Sequence, residues 1–227
     1  MNITTASRFT SVLAISLCGA ATVADAAYVM PMIGGGQVGM MMAPMKHADI
    51  TFDGTNIAVH VDDTVGTPML RPLTPPDEFD PAQPWSVLGT KAYNYQYAWN
   101  PGGFITLPTG AGIWIERLSS SPELEVYLRP PMFTGGPTWP AVLDSDGARW
   151  KWSGAMQHNA YAVQDPLVST YSASYRVYIG DETTGMPLPG YGSADVTWTW
   201  NAMPVPEPTL AALFPATLVL LARRRPH

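Results

Sequence analysis

The sequence predicts an all-β protein, an antiparallel β-sandwich of the immunoglobulin-like class between an N-terminal signal peptide and a C-terminal hydrophobic helix. One observation is a series of short segments that alternate apolar and polar residues and are separated by clusters of Gly and Pro. Another is that no segment between the two terminal signals has the helical period of about 3.6 residues. Short alternating strands joined by such turns are typical of a sandwich and not of an α/β enzyme.

The chain divides into four regions. Residues 1–26 are predicted to be a signal peptide, 27–46 a flexible segment rich in Met and Gly, 47–203 the β-sandwich, and 204–227 a sorting signal with a short hydrophobic helix. Inside the sandwich the alternation predicts a hairpin, a long Pro-rich loop over residues 67–84, and strands over the segments 85–88, 93–99, 112–118, 123–129, 149–153, 171–179 and 194–200.

The N-terminal region has the parts of a secretory signal. Arg8 precedes an apolar run over residues 11–23, which ends in small residues, so signal peptidase is expected to cleave after Ala26. The run is too short for a permanent membrane anchor. Because Cys18 is the only cysteine, the mature chain has none, and its stability must come from an apolar core or bound ions.

The C-terminal region carries a Pro-Glu-Pro motif, an apolar segment over residues 210–222 and a basic cluster. The motif and the cluster consist of Val205, Pro206, Glu207, Pro208, Arg223, Arg224 and Arg225. Over about the last 23 residues this order resembles the PEP-CTERM sorting signal of Gram-negative bacteria. The resemblance implies recognition and cleavage by an exosortase, a transient stage in the inner membrane, and a final position at the cell surface or in the extracellular matrix. The alternative is a plain tail anchor with its arginines on the cytoplasmic side, but the apolar span is short for one.

Composition disfavours one class of partner. The chain has 12 Lys and Arg against 18 Asp and Glu, a net charge of −6. Removal of the two signals takes away Arg8 and the three arginines of the tail, so the mature part lacks a basic patch. The sequence therefore predicts no nucleic-acid binding.

The hairpin is predicted over residues 47–63, with its turn at Asp53–Asn56. This turn places Ile50 opposite Val59 and Phe52 opposite Ile57, on the buried face. The other face then carries two imidazoles and two carboxylates, with His47 opposite Asp62 and Asp49 opposite His60. These four side chains are a candidate metal-ligand set. The alternative is a strand face that carries polar residues only because it is exposed to solvent.

A third histidine, His158, is followed by Asn159 and an aromatic residue. The order of His47-Ala48-Asp49, His60-Val61-Asp62, His158-Asn159 and two terminal strands is similar to the surface-anchored modules that accompany metal-type ABC transporters, and to zinc-regulator-repressed PEP-CTERM proteins. The resemblance implies that His47, His60 and His158 converge on zinc, with Asp49 or Asp62 as the fourth ligand or as the group that orients an imidazole. The chain has Ala58 and Met156 where that family tends to pair histidines, so its ligand set is thinner. The alternative for His158 is a loop histidine with backbone hydrogen bonds.

The segment 28–45 offers a second, weaker metal hypothesis. It contains Met30, Met32, Met40, Met41, Met42 and Met45, and thioethers are ligands for Cu(I). The alternative is an apolar linker in which Met serves as adaptable packing.

Three functions remain open from sequence. The first is a zinc-binding surface module in metal capture or homeostasis, and the second is a structural matrix or biofilm component that contacts extracellular polysaccharide without a metal. The third is a secreted hydrolase. The sequence has no nucleophile-elbow glycine pattern and no HExxH helix, so it predicts a protein that is not an enzyme.

Overall fold

A computed structural model describes residues 27–36, 43–130 and 137–204. Within these residues the chain forms a short 3₁₀ helix over Pro84–Leu88 and strands only. The strands are β1 (Lys46–Phe52), β2 (Ile57–Val61), β3 (Met69–Leu70), β4 (Lys91–Asn94), β5 (Tyr97–Pro101), β6 (Ala111–Ser120), β7 (Glu125–Leu128), β8 (Arg149–Trp152), β9 (Gln157–Gln164), β10 (Thr170–Asp181) and β11 (Ser193–Ala202). The predicted all-β class is confirmed.

The strands form two sheets. The first has the order β2-β1-β5-β9-β4, with β7 also paired to β9, and the second has the order β3-β11-β10-β6-β8. The sequence predicted antiparallel pairing throughout, but β1 pairs with β5 and β3 with β11 in parallel. Parallel neighbours need a long connection. The chain supplies one in each case, because three strands separate β1 from β5 and seven separate β3 from β11.

The hairpin formed by β1 and β2 has the predicted register. Ile50 pairs with Val59, Phe52 with Ile57 and Asp49 with His60. The turn fixes this register, because the Asp53 carboxylate accepts hydrogen bonds from the backbone N–H groups of Thr55 and Asn56 at 2.8 and 2.6 Å.

The space between the two sheets is filled by aromatic side chains. Trp99 and Tyr161 from the first sheet meet Tyr175, Trp198 and Trp200 from the second, and all five are fully buried. The ring centroid of Trp198 lies 4.2 Å from that of Trp99, and those of Tyr161 and Trp200 are 4.4 Å apart. Burial of several large aromatic rings stabilises the two sheets, whose strands contain no cysteine.

A second apolar cluster covers part of the outer face of the first sheet. We call it the outer cluster; its buried members are Phe79, Trp85, Leu88, Tyr93, Tyr95, Tyr127, Trp139, Ala160 and Ala162. Because β9 contributes Ala160 and Ala162 to this cluster and Tyr161 and Val163 to the inner core, both of its faces are buried.

Residues 27–36, which we call the N-terminal strap, pack against the outer cluster. The Val29 N–H donates to the Glu78 carbonyl and the Tyr95 N–H donates to the Ile33 carbonyl, both at 3.0 Å. The Tyr93 hydroxyl accepts from the backbone N–H of residue 32 and donates to the carbonyl of residue 36, each at 2.9 Å. The sequence predicted a flexible segment over residues 27–46. Of that segment, residues 27–36 lie against the outer cluster with several of their backbone groups hydrogen-bonded, while Tyr28 and Met30 are 64% and 47% exposed.

Two predicted strands differ from the structure, and the sequence missed strand β9. Residues 85–88 form the 3₁₀ helix, which begins at a proline. The single strand expected over 93–99 is two strands, β4 and β5, separated where the Asn94 side chain accepts a hydrogen bond from the Gln96 N–H. β9, which carries His158, was not predicted at all.

The predicted signal peptide and the sorting motif, from Val205 to Arg225, lie outside the described residues. Among the residues that the structure describes, no helix has the length and apolar character that a membrane span requires.

Candidate functional site

The outer face of the first sheet carries all five predicted metal ligands, in two adjacent rows. His47 pairs with Ala98, and Ala98 pairs with His158. Asp62 adjoins this row, because its N–H donates to the His47 carbonyl at 2.9 Å. In the next row Asp49 lies between His60 and Asn100. Residues directly opposite one another in a sheet point to the same face, so the register brings the predicted residues to one surface.

The two carboxylates of this face are held by other groups. Asp62 accepts hydrogen bonds from the Thr64 N–H at 2.9 Å and the Thr64 hydroxyl at 2.6 Å, and these hold the pKa of Asp62 below its usual value. Asp49 accepts a hydrogen bond from the Asn100 amide at 2.7 Å. His60 is exposed on an edge strand. Across residues 27–36, 43–130 and 137–204, no three His, Cys, Asp or Glu side chains form a group that could hold a metal. The five residues therefore do not fit a single tetrahedral zinc site.

His158 is buried and oriented by the backbone. Its Nδ1 lies 2.8 Å from the Tyr95 carbonyl oxygen, so the Nδ1–H donates and the other nitrogen of the neutral ring carries a lone pair. Burial is the main cause that lowers the pKa of His158, and the charges of Arg129 and His47 lower it further. The site therefore favours the neutral imidazole, which is also the form that binds metals. The alternative expectation was a loop histidine with backbone hydrogen bonds; Nδ1 does bond to the backbone, but His158 lies on strand β9 and its Nε2 has no partner among the described residues.

The Nε2 atoms of His47 and His158 share one feature. Both are buried, and neither has a hydrogen-bond partner among the described residues. The two histidines lie two strand positions apart in the same row, a Cα separation of roughly 10 Å from the usual strand spacing. Out of the five predicted residues, only these two have a buried ring nitrogen without a hydrogen-bond partner among the described residues.

The methionines of the copper hypothesis are partly outside the described residues. Met40, Met41 and Met42 lie in the undescribed segment 37–42. Met30 and Met45 are both 47% exposed. The hypothesis stays a prediction.

A concave surface lies elsewhere in the described part of the chain, beside the start of β6 and the end of β8. We call it the Phe104 cleft; it has a volume of about 680 Å³. The apolar part of its wall includes Ile105, Leu107 and Trp152, and Lys151 and Glu182 lie at its polar side, with Nζ and Oε1 3.1 Å apart. The side chain of Phe104 is 96% exposed at its edge.

This cleft was only weakly indicated by sequence. The sequence predicted a turn at Pro101-Gly102-Gly103 but assigned no role to the aromatic residue that follows. Lys151 and Glu182 are 31 residues apart, and they meet only because β8 and β10 both border β6. An exposed aromatic residue directly after a Gly-Gly turn was the available signal.

Comparisons with protein-family models, with curated proteins and with solved structures find no match to this chain.

Proposed function

We propose that this chain is an exported, surface-associated β-sandwich of the immunoglobulin-like class that acts as a structural component of an extracellular matrix and is not an enzyme. The observation that carries the proposal is where the folded part lies relative to the two sorting signals. Ala27, the predicted first mature residue, already accepts a hydrogen bond from the Glu78 N–H at 3.1 Å. β11 ends at Ala202, just before the Pro-Glu-Pro motif. Cleavage at both signals would therefore release one domain intact.

A matrix role also suits the way the domain is stabilised. Two aromatic clusters hold it without any cysteine in the mature part, so its stability is independent of the redox state outside the cell. Signal peptidase and an exosortase are the partners that this route requires.

The proposal is tested by expressing the full chain in a Gram-negative bacterium that has an exosortase and measuring the intact mass of the chain in each cell fraction. We expect an extracytoplasmic product that begins at Ala27 and lacks the tail beyond the Pro-Glu-Pro motif. The control is Glu207→Ala, which we expect to retain the tail and remain in the membrane fraction. An unprocessed chain in the cytoplasm would contradict the proposal.

A second candidate function is zinc binding, and the unused Nε2 atoms of His47 and His158 favour it. In this proposal the two imidazoles supply the protein ligands, and His60, Asp49 and Asp62 do not. Structural zinc sites have four protein ligands and catalytic sites three, so a site with two is suited to weak capture more than to permanent storage.

The zinc content of the purified full chain, measured by mass spectrometry after exposure to zinc and washing, tests this second candidate. We expect bound zinc that is lost in His47→Gln and in His158→Gln but retained in His60→Gln, the matched control on the same face. Equal loss in all three variants would favour the ligand set implied by the family resemblance instead. Absence of zinc in the parent chain would remove the metal function.

A further inference from the structure

We propose that the Phe104 cleft binds a segment of a neutral polysaccharide. The inference deepens the proposed matrix role and rests on it for the source of the ligand, while the binding itself is argued from the cleft. Its volume of about 680 Å³ lies within the roughly 300–1,000 Å³ that is usual for ligand sites.

The first argument is the exposed ring of Phe104. An aromatic side chain that is 96% exposed leaves apolar surface in water, which a partner would cover with a gain in free energy. The ring stands beside a concave wall that includes Ile105 and Leu107, so a partner can contact both at once. The C–H face of a sugar ring is apolar and flat, and it fits against an aromatic face.

The second argument is the polar side of the cleft. Lys151 is a donor and Glu182 an acceptor, and their side chains are 40% and 58% exposed. Sugar hydroxyls both donate and accept hydrogen bonds, so a pyranose can bond to both groups while its C–H face covers the phenyl ring. The cleft therefore combines two hydrogen-bonding side chains with several apolar ones, which is the combination that a sugar ring with an apolar face and polar edges requires.

The third argument concerns charge. Among the residues that line the cleft, Lys151 and Glu182 are the charged pair, and their charges are of opposite sign. The whole chain has a net charge of −6, so an anionic polymer would be repelled at long range. A neutral glycan is not repelled in this way.

The fourth argument is that the wall of the cleft formed by β6 and β8 is preformed, whereas Phe104, Ile105 and Leu107 lie in the connection between β5 and β6. Trp152 is fixed by the hydrogen bond from its Nε1 to the Ala155 carbonyl at 2.8 Å. At Gly112 a side chain would place its Cβ 3.1 Å from the Cε of Lys151, so glycine leaves room for the lysine at that point. Side chains held on strands lose less freedom on binding than those of a mobile loop.

The test is calorimetric titration of the full chain in a zwitterionic detergent that carries no sugar. The probes are neutral hexasaccharides of β-1,4-glucose, β-1,3-glucose, α-1,4-glucose and β-1,4-mannose, and an anionic hexagalacturonate. We expect saturable binding of at least one neutral probe and weaker or no binding of the anionic one. Phe104→Ala should weaken the binding by about tenfold or more, Phe104→Tyr should preserve it, and Lys151→Met should weaken it.

The control variant is Leu167→Ala, because Leu167 is another exposed apolar residue, 60% exposed, and lies outside the cleft. It should bind as the parent chain does. The inference is overturned if no neutral probe saturates the chain, if Phe104→Ala binds like the parent, or if an apolar hexapeptide competes better than every sugar. Since the titration uses purified chain, sugar binding without export would contradict only the proposed function.

Discussion

Replacement of Trp198 by Ala is expected to lower the free energy of unfolding by about 3–5 kcal/mol. Trp198 is fully buried, and its ring contacts aromatic rings of both sheets. The centroid distances are 4.2 Å to Trp99, 4.4 Å to Tyr97 and 5.5 Å to each of Tyr161 and Tyr175. The large-to-small change leaves a cavity that these rings cannot fill. Domains of ordinary stability have about 5–15 kcal/mol in total, so the variant would be close to unfolding.

The measurement is urea denaturation followed by far-ultraviolet circular dichroism, which reports mainly on the backbone and not on the fluorescence of the tryptophan that is removed. Trp150→Ala is the matched control, because Trp150 is only half-buried on the edge strand β8. We expect it to cost about 1–2 kcal/mol. Trp198→Phe, which retains a ring, should fall between the two. If both Ala variants cost the same, the stability of the domain would not depend on the inter-sheet aromatic core as argued.

The hairpin could be predicted from sequence because everything that determines it is local. The Asp53 side chain caps its own turn, and the alternation of residues 50–61 selects the buried face. Register follows from the turn alone. Pairing Asp49 with His60 therefore needed no knowledge of the rest of the fold.

β9 could not be predicted in the same way. A strand that is buried on both faces has no alternation, so its apolar run carries no period-two signal. The layer that buries its outer face comes from the strap and the 3₁₀ helix, which are distant in sequence. The parallel pair β1–β5 depends equally on a long connection that local patterns do not reveal.

The outer face of the first sheet, which carries the five predicted metal ligands and which we call the candidate metal face, was predictable only in part. The register placed the five side chains on one surface, but their competing hydrogen bonds decide what each can bind. Thr64, two residues after Asp62, was visible in the sequence as a competitor. Asn100, which holds Asp49, is brought there by the parallel strand β5, and no sequence pattern indicated it.

Gly35→Ala is expected to release the N-terminal strap. It should lower the free energy of unfolding by about 3 kcal/mol more than a glycine substitution without a clash does. Gly35 has a φ of +74°, and a Cβ there would lie 1.9 Å from the Tyr93 carbonyl oxygen. That atom belongs to the backbone of β4, so the strap must move. The measurement is urea denaturation together with amide hydrogen exchange, where the Val29 and Met32 N–H groups should lose their protection.

Gly110→Ala is the matched control for this prediction. Gly110 has a φ of +75°, and a Cβ there would meet nothing within 4 Å. The control therefore reports the backbone strain alone, about 1–2 kcal/mol, and the difference between the two variants reports the clash. Equal costs, with the strap amides still protected in Gly35→Ala, would mean that the strap contributes little to the fold.

Release of the strap should also change the surroundings of His158 on the candidate metal face, because Tyr95 contacts both. This residue donates its N–H to the Ile33 carbonyl and its hydroxyl to the Pro31 carbonyl, while its own carbonyl accepts the Nδ1–H of His158. If the strap leaves, Tyr95 loosens and water reaches the imidazole. Burial is the main cause that lowers the pKa of His158, so this pKa should rise toward its ordinary value in Gly35→Ala and stay low in Gly110→Ala, as followed by NMR titration. If the strap amides of Gly35→Ala exchange with solvent while the pKa of His158 is unchanged, the sheet alone would be sufficient to bury His158.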